Sequence, residues 1–304
     1  MTIENCLIKF SSYVDCVEKK KKNHQVHEEL LAEYLLVAHA RASKTVQALL
    51  PQQQEGGEAN VEEVFFTFEL PTTDPPCLIP MKQRVEFTDV SQKMWPAAVV
   101  LAEYLLQNKV DSREKKMFFC CVTKNTAQDV TKGKRVLELG AGVGFTGIVL
   151  SLGGECKSLT LSDYAESGLD LLRENLVLAA AQRADGSSNL DVTKVWKLDW
   201  SDANLTDEQL SCFDLVYAAD CWYDYEVCDM LTRLVARIAR LSKCPFVNAT
   251  AIRNPKTYQL YRDALQKEGF MSTELRLDSS KPSLFHFDSN ERYSVVMERF
   301  DLTK

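Results

Sequence analysis

The sequence predicts an α/β fold in which a mostly parallel sheet carries helices on both faces. Between residues 134 and 300, strand-like apolar runs alternate with helix-like amphipathic runs, and this alternation is typical of parallel sheets covered on both sides. A loop with four glycines in eight residues follows the first of these strands, and acidic and aromatic residues follow several later ones. Ligands in such sheets bind at the carboxyl ends of the strands, so we expect the functional residues there.

The repeating region is predicted to contain strands over residues 134–139, 158–163, 192–200, 213–220, 244–252 and 292–300. The predicted helices of this region cover residues 145–153, 166–182, 226–242 and 254–269. Each strand is short and rich in Val, Leu, Ile or aromatic residues, and each helix shows apolar positions three and four residues apart.

The chain before this region has a different character. The apolar spacing of residues 25–49 predicts a helix that ends before Pro51, and residues 61–70 read as a strand. A helix is predicted over residues 95–107, because Pro96 is tolerated in a first helical turn. We therefore divide the chain into an N-terminal helical extension with a strand (residues 1–80), which would dock a substrate or act as a lid, and an α/β domain (residues 81–304).

Composition excludes several classes of function. The net charge of −7 over 304 residues gives no sign of a nucleic-acid partner, and no run of apolar residues is long enough to cross a membrane. The ten cysteines contain no CxxC pair, and the four histidines have no further ligand at metal-binding spacing, so we expect no metal. The N-terminus lacks the features of a secretory signal, which predicts a cytoplasmic protein with reduced thiols.

The glycine loop in "RVLELGAGVGFTGIVL", residues 135–150, has two interpretations. The first is a dinucleotide site, because Gly142-x-Gly144-x-x-Gly147 matches G-x-G-x-x-G and Asp163 lies 21 residues beyond Gly142. That fingerprint should begin directly after the strand, however, and here Gly140 and Ala141 intervene. An NAD-dependent oxidoreductase is the corresponding functional alternative.

The second interpretation rests on a resemblance. "E-L-G-A-G-V-G" resembles the first motif of the seven-strand S-adenosylmethionine (SAM)-dependent methyltransferases, which implies a Rossmann-like seven-stranded sheet and SAM as cofactor. The resemblance implies that Glu138 binds the ammonium of the amino-acid tail or its water shell. Asp163 would accept both ribose hydroxyls through its two oxygens. The implied backbone contacts with the cofactor come from Gly140, Ala141 and Gly142.

Residues after two later strands favour the second interpretation. Asp199 could accept a hydrogen bond from an adenine amine, and Trp200 offers a stacking face, although Trp200 could equally be ordinary core. "VYAADCWYD" contains a D-x-x-Y that resembles the signature of the lysine methyltransferase branch often called family 16, which acts on non-histone proteins. This resemblance implies that Asp220 and Tyr223 are catalytic and that Ala219 contacts the cofactor. Alternatively, Asp220 would be a helix N-cap and Tyr223 a half-buried aromatic residue.

Two further segments narrow the resemblance. "MWPAAVVLAEYLL" is similar to the W-x-A-A-x-x-L segment of that branch, which implies that Trp95 caps the cofactor. "IRNPKTYQLYRDALQKEGF", residues 252–270, resembles the R-N-P-x-T-x-Q-L-F segment of the eukaryotic elongation factor 2 lysine methyltransferases. There Arg253 is expected to shape the substrate groove, whereas Asn254 and Pro255 also fit an ordinary helix start.

The resemblance covers roughly residues 90–300 and implies a monomeric protein-lysine methyltransferase that acts on elongation factor 2. Another non-histone protein or a small molecule remains an alternative substrate. The sequence departs from the family where a glycine-rich stretch usually precedes the tryptophan and where this chain has "TDVSQKM".

Overall fold

The computed structural model describes residues 63–70, 77–84, 89–108, 130–181, 189–280, 284–285 and 294–303. The helix predicted over residues 25–49 lies outside the described residues. Most of the proposed N-terminal extension, residues 1–80, also lies outside them.

A seven-stranded sheet forms the centre of the described fold, in the strand order β5-β4-β3-β6-β7-β9-β8. The neighbours from β5 to β7 pair in parallel, and β9 pairs antiparallel with both β7 and β8. The predicted mostly parallel sheet is thus confirmed. The strands are β3 (Arg135–Leu139), β4 (Ser158–Asp163), β5 (Thr193–Lys197), β6 (Leu215–Ala219), β7 (Phe246–Ala251), β8 (Phe270–Leu275) and β9 (Val295–Leu302).

Helices cover both faces of this sheet. They are α1 (Pro96–Gln107), α2 (Phe145–Gly153), α3 (Glu166–Ala180), the short α4 (Asp207–Leu210), α5 (Tyr225–Ser242) and α6 (Pro255–Lys267). Successive residues of a strand point to opposite faces, and β3 shows the result: Val136 belongs to a core with α1, α2 and α3, whereas Leu137 belongs to a second core with α5 and α6. Burial on both faces explains why the strands read as continuous apolar runs.

A two-stranded hairpin precedes the sheet in the chain and packs against the helices α2 and α3. Its strands are β1 (Glu63–Leu70) and β2 (Cys77–Arg84), which pair antiparallel. The Asn175 side chain of α3 ties β2 to the domain, because it accepts from the Lys82 N–H at 2.7 Å and donates to the Lys82 and Val143 carbonyls at 3.0 and 2.9 Å. The hairpin therefore crosses the boundary that we expect at residue 80.

Two strands were not predicted from the sequence. β2 was not predicted because prolines lie around and within it, including Pro80, and prolines usually argue against a strand. β8 lies at the edge of the sheet, and its residues Met271–Glu274 are exposed. An exposed edge strand needs no apolar run, so periodicity gave no signal there.

Candidate active site

A cavity of about 540 Å³ opens at the carboxyl ends of the central parallel strands. It lies where the strand order reverses beside β3, the position at which open α/β sheets bind ligands. Every site residue predicted from the sequence lines this cavity: Trp95, Glu138, Gly140, Ala141, Gly142, Asp163, Asp199, Trp200, Ala219, Asp220 and Tyr223. The cavity thus brings together predicted residues from five separate segments of the chain.

The glycine loop forms the floor of the cavity. Gly140 has φ 63, and a Cβ there would lie 2.5 Å from the Cys221 sulfur. Gly142 has φ 53, and its Cβ would lie 3.1 Å from the Ser91 carbonyl oxygen. Residues with a side chain rarely adopt this left-handed backbone. Glycine at both positions therefore lets the loop turn tightly and exposes its backbone to the cavity.

Asp163 ends β4 and binds the glycine loop. Its Oδ2 accepts from the Gly142 N–H at 2.8 Å, and its Oδ1 accepts from the Ala165 N–H at 3.2 Å. Burial raises the pKa of this carboxyl, while the backbone N–H donors oppose that rise. A carboxylate oxygen can accept more than one hydrogen bond, so both oxygens have capacity for a ligand hydroxyl.

Glu138 lies within β3 and is almost completely buried. Burial raises the pKa of its carboxyl to about 8, although the Tyr217 hydroxyl donates to Oε2 at 3.0 Å and the Gly147 N–H also donates to the carboxyl. The carboxyl is therefore largely protonated at neutral pH. A cation bound beside it would favour the ionised form and release that proton.

Asp220 follows β6 in an unusual backbone conformation, with φ 57. Its side chain is only 2% exposed and accepts from the Ala251 N–H at 2.7 Å. The Arg253 guanidinium donates to Oδ1 at 3.1 Å and to Oδ2 at 3.2 Å. The N-cap of α5 is Asp224, whose side chain accepts from the Glu226 N–H, so the alternative that Asp220 caps this helix is wrong.

Trp95 and Arg253 form one wall of the cavity. The guanidinium carbon of Arg253 lies 4.9 Å from the centre of the Trp95 ring, and Lys93 Nζ lies at the same distance of 4.9 Å. The indole N–H of Trp95 donates to the Val90 carbonyl at 2.9 Å. Val90 belongs to a 3-10 turn that Asp89 caps. The segment "TDVSQKM" thus supplies several lining residues, among them Asp89, Ser91 and Lys93.

Aromatic residues surround the remaining cavity. The Trp200 ring lies against Gly140, since a Cβ on Gly140 would be 3.2 Å from it. The Trp200 Nε1 is buried and has no hydrogen-bond partner among the described residues. The Asp199 Oδ1 accepts from the Ser201 N–H and hydroxyl at 2.8 and 2.7 Å, which lowers the pKa of that carboxyl. Tyr223 is 50% exposed, and burial raises the pKa of its hydroxyl, which stays protonated.

Sequence reasoning did not select several of the lining residues. These are Asp89, Ser91, Lys93, Tyr164, Cys221 and Met230. The turn before Trp95 was noticed in the sequence only as a departure from the pattern that the resemblance implies, and no role was assigned to its residues. Tyr164 and Cys221 lie beside predicted residues in the chain, and Met230 lies on α5.

Neither a metal site nor a membrane span is found in the part of the chain that the structure describes. No three His, Cys, Asp or Glu side chains there form a group that could hold a metal ion. No helix there is long and apolar enough to cross a membrane.

Comparison with known proteins identifies the family. Residues 75–267 match the family model described as lysine methyltransferase. The chain belongs to this family. The dinucleotide interpretation of the glycine loop is therefore discarded, and S-adenosylmethionine is the cofactor.

Relatives of this lysine methyltransferase chain are similar over part of their length. The human protein-lysine N-methyltransferase EEF2KMT is 32% identical over 184 residues, which are 58% of this chain and 49% of the human protein. The calmodulin-lysine N-methyltransferase of Arabidopsis thaliana is 26% identical over 194 residues, 64% of this chain and 59% of that protein. The chain spans about half the length of the curated relatives it matches first.

A solved structure, M. jannaschii TYW2 in complex with AdoMet, superimposes with a TM-score of 0.40 and 15% identity, covering 83% of this chain and 90% of that one.

The lining residues of the lysine methyltransferase chain fit S-adenosylmethionine chemically. Asp163 offers two acceptor oxygens for ribose hydroxyls, and Trp200 with Asp199 suits an adenine ring and its amine. The buried Glu138 and the exposed backbone at Gly140 would hold the amino-acid tail.

Proposed function

We propose that this chain transfers a methyl group from S-adenosylmethionine to the side-chain amine of a lysine in a protein, and that the protein is elongation factor 2. One observation carries the proposal: Asp220 and Tyr223 line the same cavity as the glycine loop and Asp163. The groups expected at the cofactor and those expected at the acceptor thus share one enclosed space.

The choice of elongation factor 2 depends on similarity. The R-N-P segment that begins at Arg253 contributes a cavity-lining residue, and the human relative EEF2KMT supports the same branch. Another protein lysine is a second candidate, which the similarity to the calmodulin-lysine methyltransferase favours.

We further propose that residues 81–304 form the methyltransferase domain, that residues 1–80 dock the substrate, and that the chain acts as a cytoplasmic monomer.

S-adenosylmethionine, when bound, supplies a methyl group activated by its positively charged sulfur. That methyl group would pass to the lysine nitrogen, and the electron pair of the broken C–S bond would remain with sulfur. The amine must be neutral for this step, although a free lysine has a pKa of about 10.4, so neutralising it at pH 7 costs about 4.6 kcal/mol.

The protein's contribution is to orient the amine and to favour its neutral form. The Tyr223 hydroxyl stays protonated and lies at the half-exposed edge of the cavity, where its oxygen can accept from an amine N–H. Both Asp220 oxygens are already bonded to Arg253, so we expect Asp220 to act through that pair. Alignment of nitrogen, methyl carbon and sulfur then supplies much of the rate enhancement.

The experiment is a methyl-transfer assay with radiolabelled S-adenosylmethionine, the purified chain and a eukaryotic cell lysate, resolved on a gel. We expect one labelled band at the size of elongation factor 2, lost with Asp220→Ala and kept with Asp229→Ala. Asp229 is a suitable control because it lies exposed on α5 in a pair with Arg233. A labelled band of another size would refute the substrate, and cofactor binding without any label would refute the activity.

A further inference from the structure

We propose that Arg253 neutralises the Asp220 carboxylate and thereby keeps the incoming lysine amine in its neutral, reactive form. This inference rests on the proposed function, because it concerns the protonation of the acceptor in the same cavity. It assigns to Arg253 an electrostatic, positioning role that a free Asp220 carboxylate would work against.

The hydrogen bonds between the two side chains use both carboxylate oxygens. Arg253 Nη1 donates to Oδ1 at 3.1 Å and Nη2 donates to Oδ2 at 3.2 Å, an arrangement in which the guanidinium fork faces the carboxylate. The Ala251 N–H donates to Oδ1 as well, at 2.7 Å. Three donors from the end of β7 and from Arg253 thus bond the Asp220 carboxylate, two of them at Oδ1 and one at Oδ2.

Exposure decides which partner the substrate meets. The Asp220 side chain is 2% exposed and the Arg253 side chain is 29% exposed. A lysine that enters the cavity therefore meets the guanidinium before it can reach the carboxylate. The positive charge of Arg253 repels a protonated amine and tolerates a neutral one.

The backbone fixes this pair in place. Asp220 has φ 57 and its N–H donates to the Ala249 carbonyl at 2.8 Å, which directs its side chain toward the end of β7. Arg253 stands between β7 and α6, where its own N–H donates to the Ala251 carbonyl at 2.9 Å. A left-handed backbone is costly for a residue with a side chain, so this local geometry is one that the surrounding fold must stabilise.

Trp95 holds the other side of the guanidinium. The Arg253 guanidinium carbon lies 4.9 Å from the Trp95 ring centre, and the indole itself is held by the Val90 carbonyl. A cation over an indole face is attracted by the ring electrons. Arg253 is therefore held between a carboxylate and an aromatic ring, which positions its charge at the acceptor end of the cavity.

Other charged groups also face the cavity and contribute to the electrostatics of the amine. The titratable and charged side chains that line it, besides the pair itself, are Asp89, Lys93, Glu138, Asp163, Tyr164, Asp199, Cys221 and Tyr223. Burial raises the pKa of the Glu138 carboxyl to about 8 and also raises that of the Asp163 carboxyl. Burial also keeps the Cys221 thiol and the Tyr223 hydroxyl neutral, because it raises the pKa of both.

A bare Asp220 carboxylate would bind the protonated amine and disfavour the loss of its proton, since an opposite charge within about 4–6 Å stabilises the charged form by one to three pKa units. With Arg253 present, the carboxylate charge is compensated. We therefore expect an uncharged residue at position 253 to move the pH at which the bound amine deprotonates upward.

The test compares Arg253→Gln with Arg253→Lys, which keep similar aliphatic length and differ in charge. The rate at saturating S-adenosylmethionine and saturating purified elongation factor 2 is measured from pH 6.5 to pH 9.5, about the range over which the amine is expected to titrate. Unfolding temperatures of both variants are measured alongside, because a loss of structure would lower activity without moving the profile.

We expect the midpoint of the rising limb to move up by about one pH unit in Arg253→Gln and to stay near the wild-type value in Arg253→Lys. A lower rate with an unchanged midpoint in Arg253→Gln would overturn the inference and leave Arg253 a structural residue. Equal shifts in both variants would overturn it too, because charge would not be the cause. An inactive wild-type chain that still binds S-adenosylmethionine would instead refute the proposed function, and the inference with it.

Discussion

The backbone N–H of Gly142 donates to the Asp163 carboxylate at 2.8 Å, so the glycine loop after β3 and the end of β4 form one unit. The two residues lie 21 positions apart in the chain and meet because β3 and β4 are parallel neighbours. The loop conformation and the acid expected to bind the ribose are therefore coupled. A change at either residue should affect the affinity for the cofactor.

Replacing Asp163 should weaken cofactor binding. In Asp163→Asn one carboxylate oxygen becomes an NH₂ group that faces a backbone N–H donor, and one acceptor for the ligand is lost. A hydrogen bond to a charged group contributes about 1.5–3 kcal/mol, so we expect the Kd for S-adenosylmethionine to rise about 10- to 100-fold. Titration calorimetry measures it.

Asp170→Asn is the matched control for that experiment, because Asp170 pairs with Arg173 on the surface of α3. Its Kd should equal that of the wild type. Wild-type affinity in Asp163→Asn would contradict the role given to this carboxylate.

Alanine at Gly142 should destabilise the protein and weaken cofactor binding. The backbone has φ 53, which costs about 1–2 kcal/mol with a side chain present, and the new Cβ would lie 3.1 Å from the Ser91 carbonyl oxygen. We therefore expect a loss of about 2 kcal/mol in the free energy of unfolding, measured by urea denaturation.

Gly133→Ala separates backbone strain from contact. Gly133 has a similar φ of 67, but a Cβ there meets nothing within 4 Å. This control should lose only the conformational part of the stability and keep wild-type cofactor affinity. If both variants lost the same stability and affinity, the contact with Ser91 would have no consequence.

The buried Glu138 should make stability depend on pH. Burial raises the pKa of its carboxyl from 4.5 to about 8, so the folded state holds this proton more tightly than the unfolded chain. The contribution of the protonated Glu138 carboxyl to the free energy of unfolding is fully present below pH 4.5. It is lost as the pH rises toward 8. Glu138→Gln cannot ionise and keeps an acceptor for the Tyr217 hydroxyl.

We therefore expect the variant to gain stability relative to the wild type between pH 5 and pH 8, by up to about 1.4 kcal/mol per pH unit. Urea unfolding of both proteins at several pH values measures the difference. Asp163, whose pKa burial also raises, is present in both proteins and largely cancels. If the free energies of unfolding of the two proteins changed in parallel between pH 5 and pH 8, Glu138 would already be ionised in the folded protein. That result would contradict the prediction.

The sequence predicted the strands, helices and site location correctly where burial and the order of the elements along the chain determine the structure. The central strands β3, β6 and β7 are buried on both faces, so their apolar runs and the helices between them could be predicted. Ten of the eleven predicted residues reach one cavity because they lie at or just beyond the carboxyl ends of parallel strands, whereas Trp95 comes from the segment before α1. The edge strand β8 lacked an apolar run and was missed for that reason.

Pairs made by tertiary structure could not be predicted. The bond between Asp220 and Arg253 depends on the pairing of β6 with β7 and on a φ of 57 at Asp220. The residue type alone does not predict this backbone conformation. The expectation that Asp220 is catalytic did not include the hydrogen bonds of both its oxygens to Arg253. Similarly, the bond from Tyr217 to Glu138 joins neighbouring strands whose register only the fold establishes.

The most direct test of the account is to find the methylated atom. Purified elongation factor 2 is incubated with this chain and S-adenosylmethionine, digested, and its lysines are examined by peptide mass spectrometry. We expect methylation of a lysine side chain with the wild type and with Asp229→Asn, and a large decrease with Asp220→Asn. Methylation on another residue type, or equal methylation by wild type and Asp220→Asn, would contradict a lysine methyltransferase whose reaction takes place in this cavity.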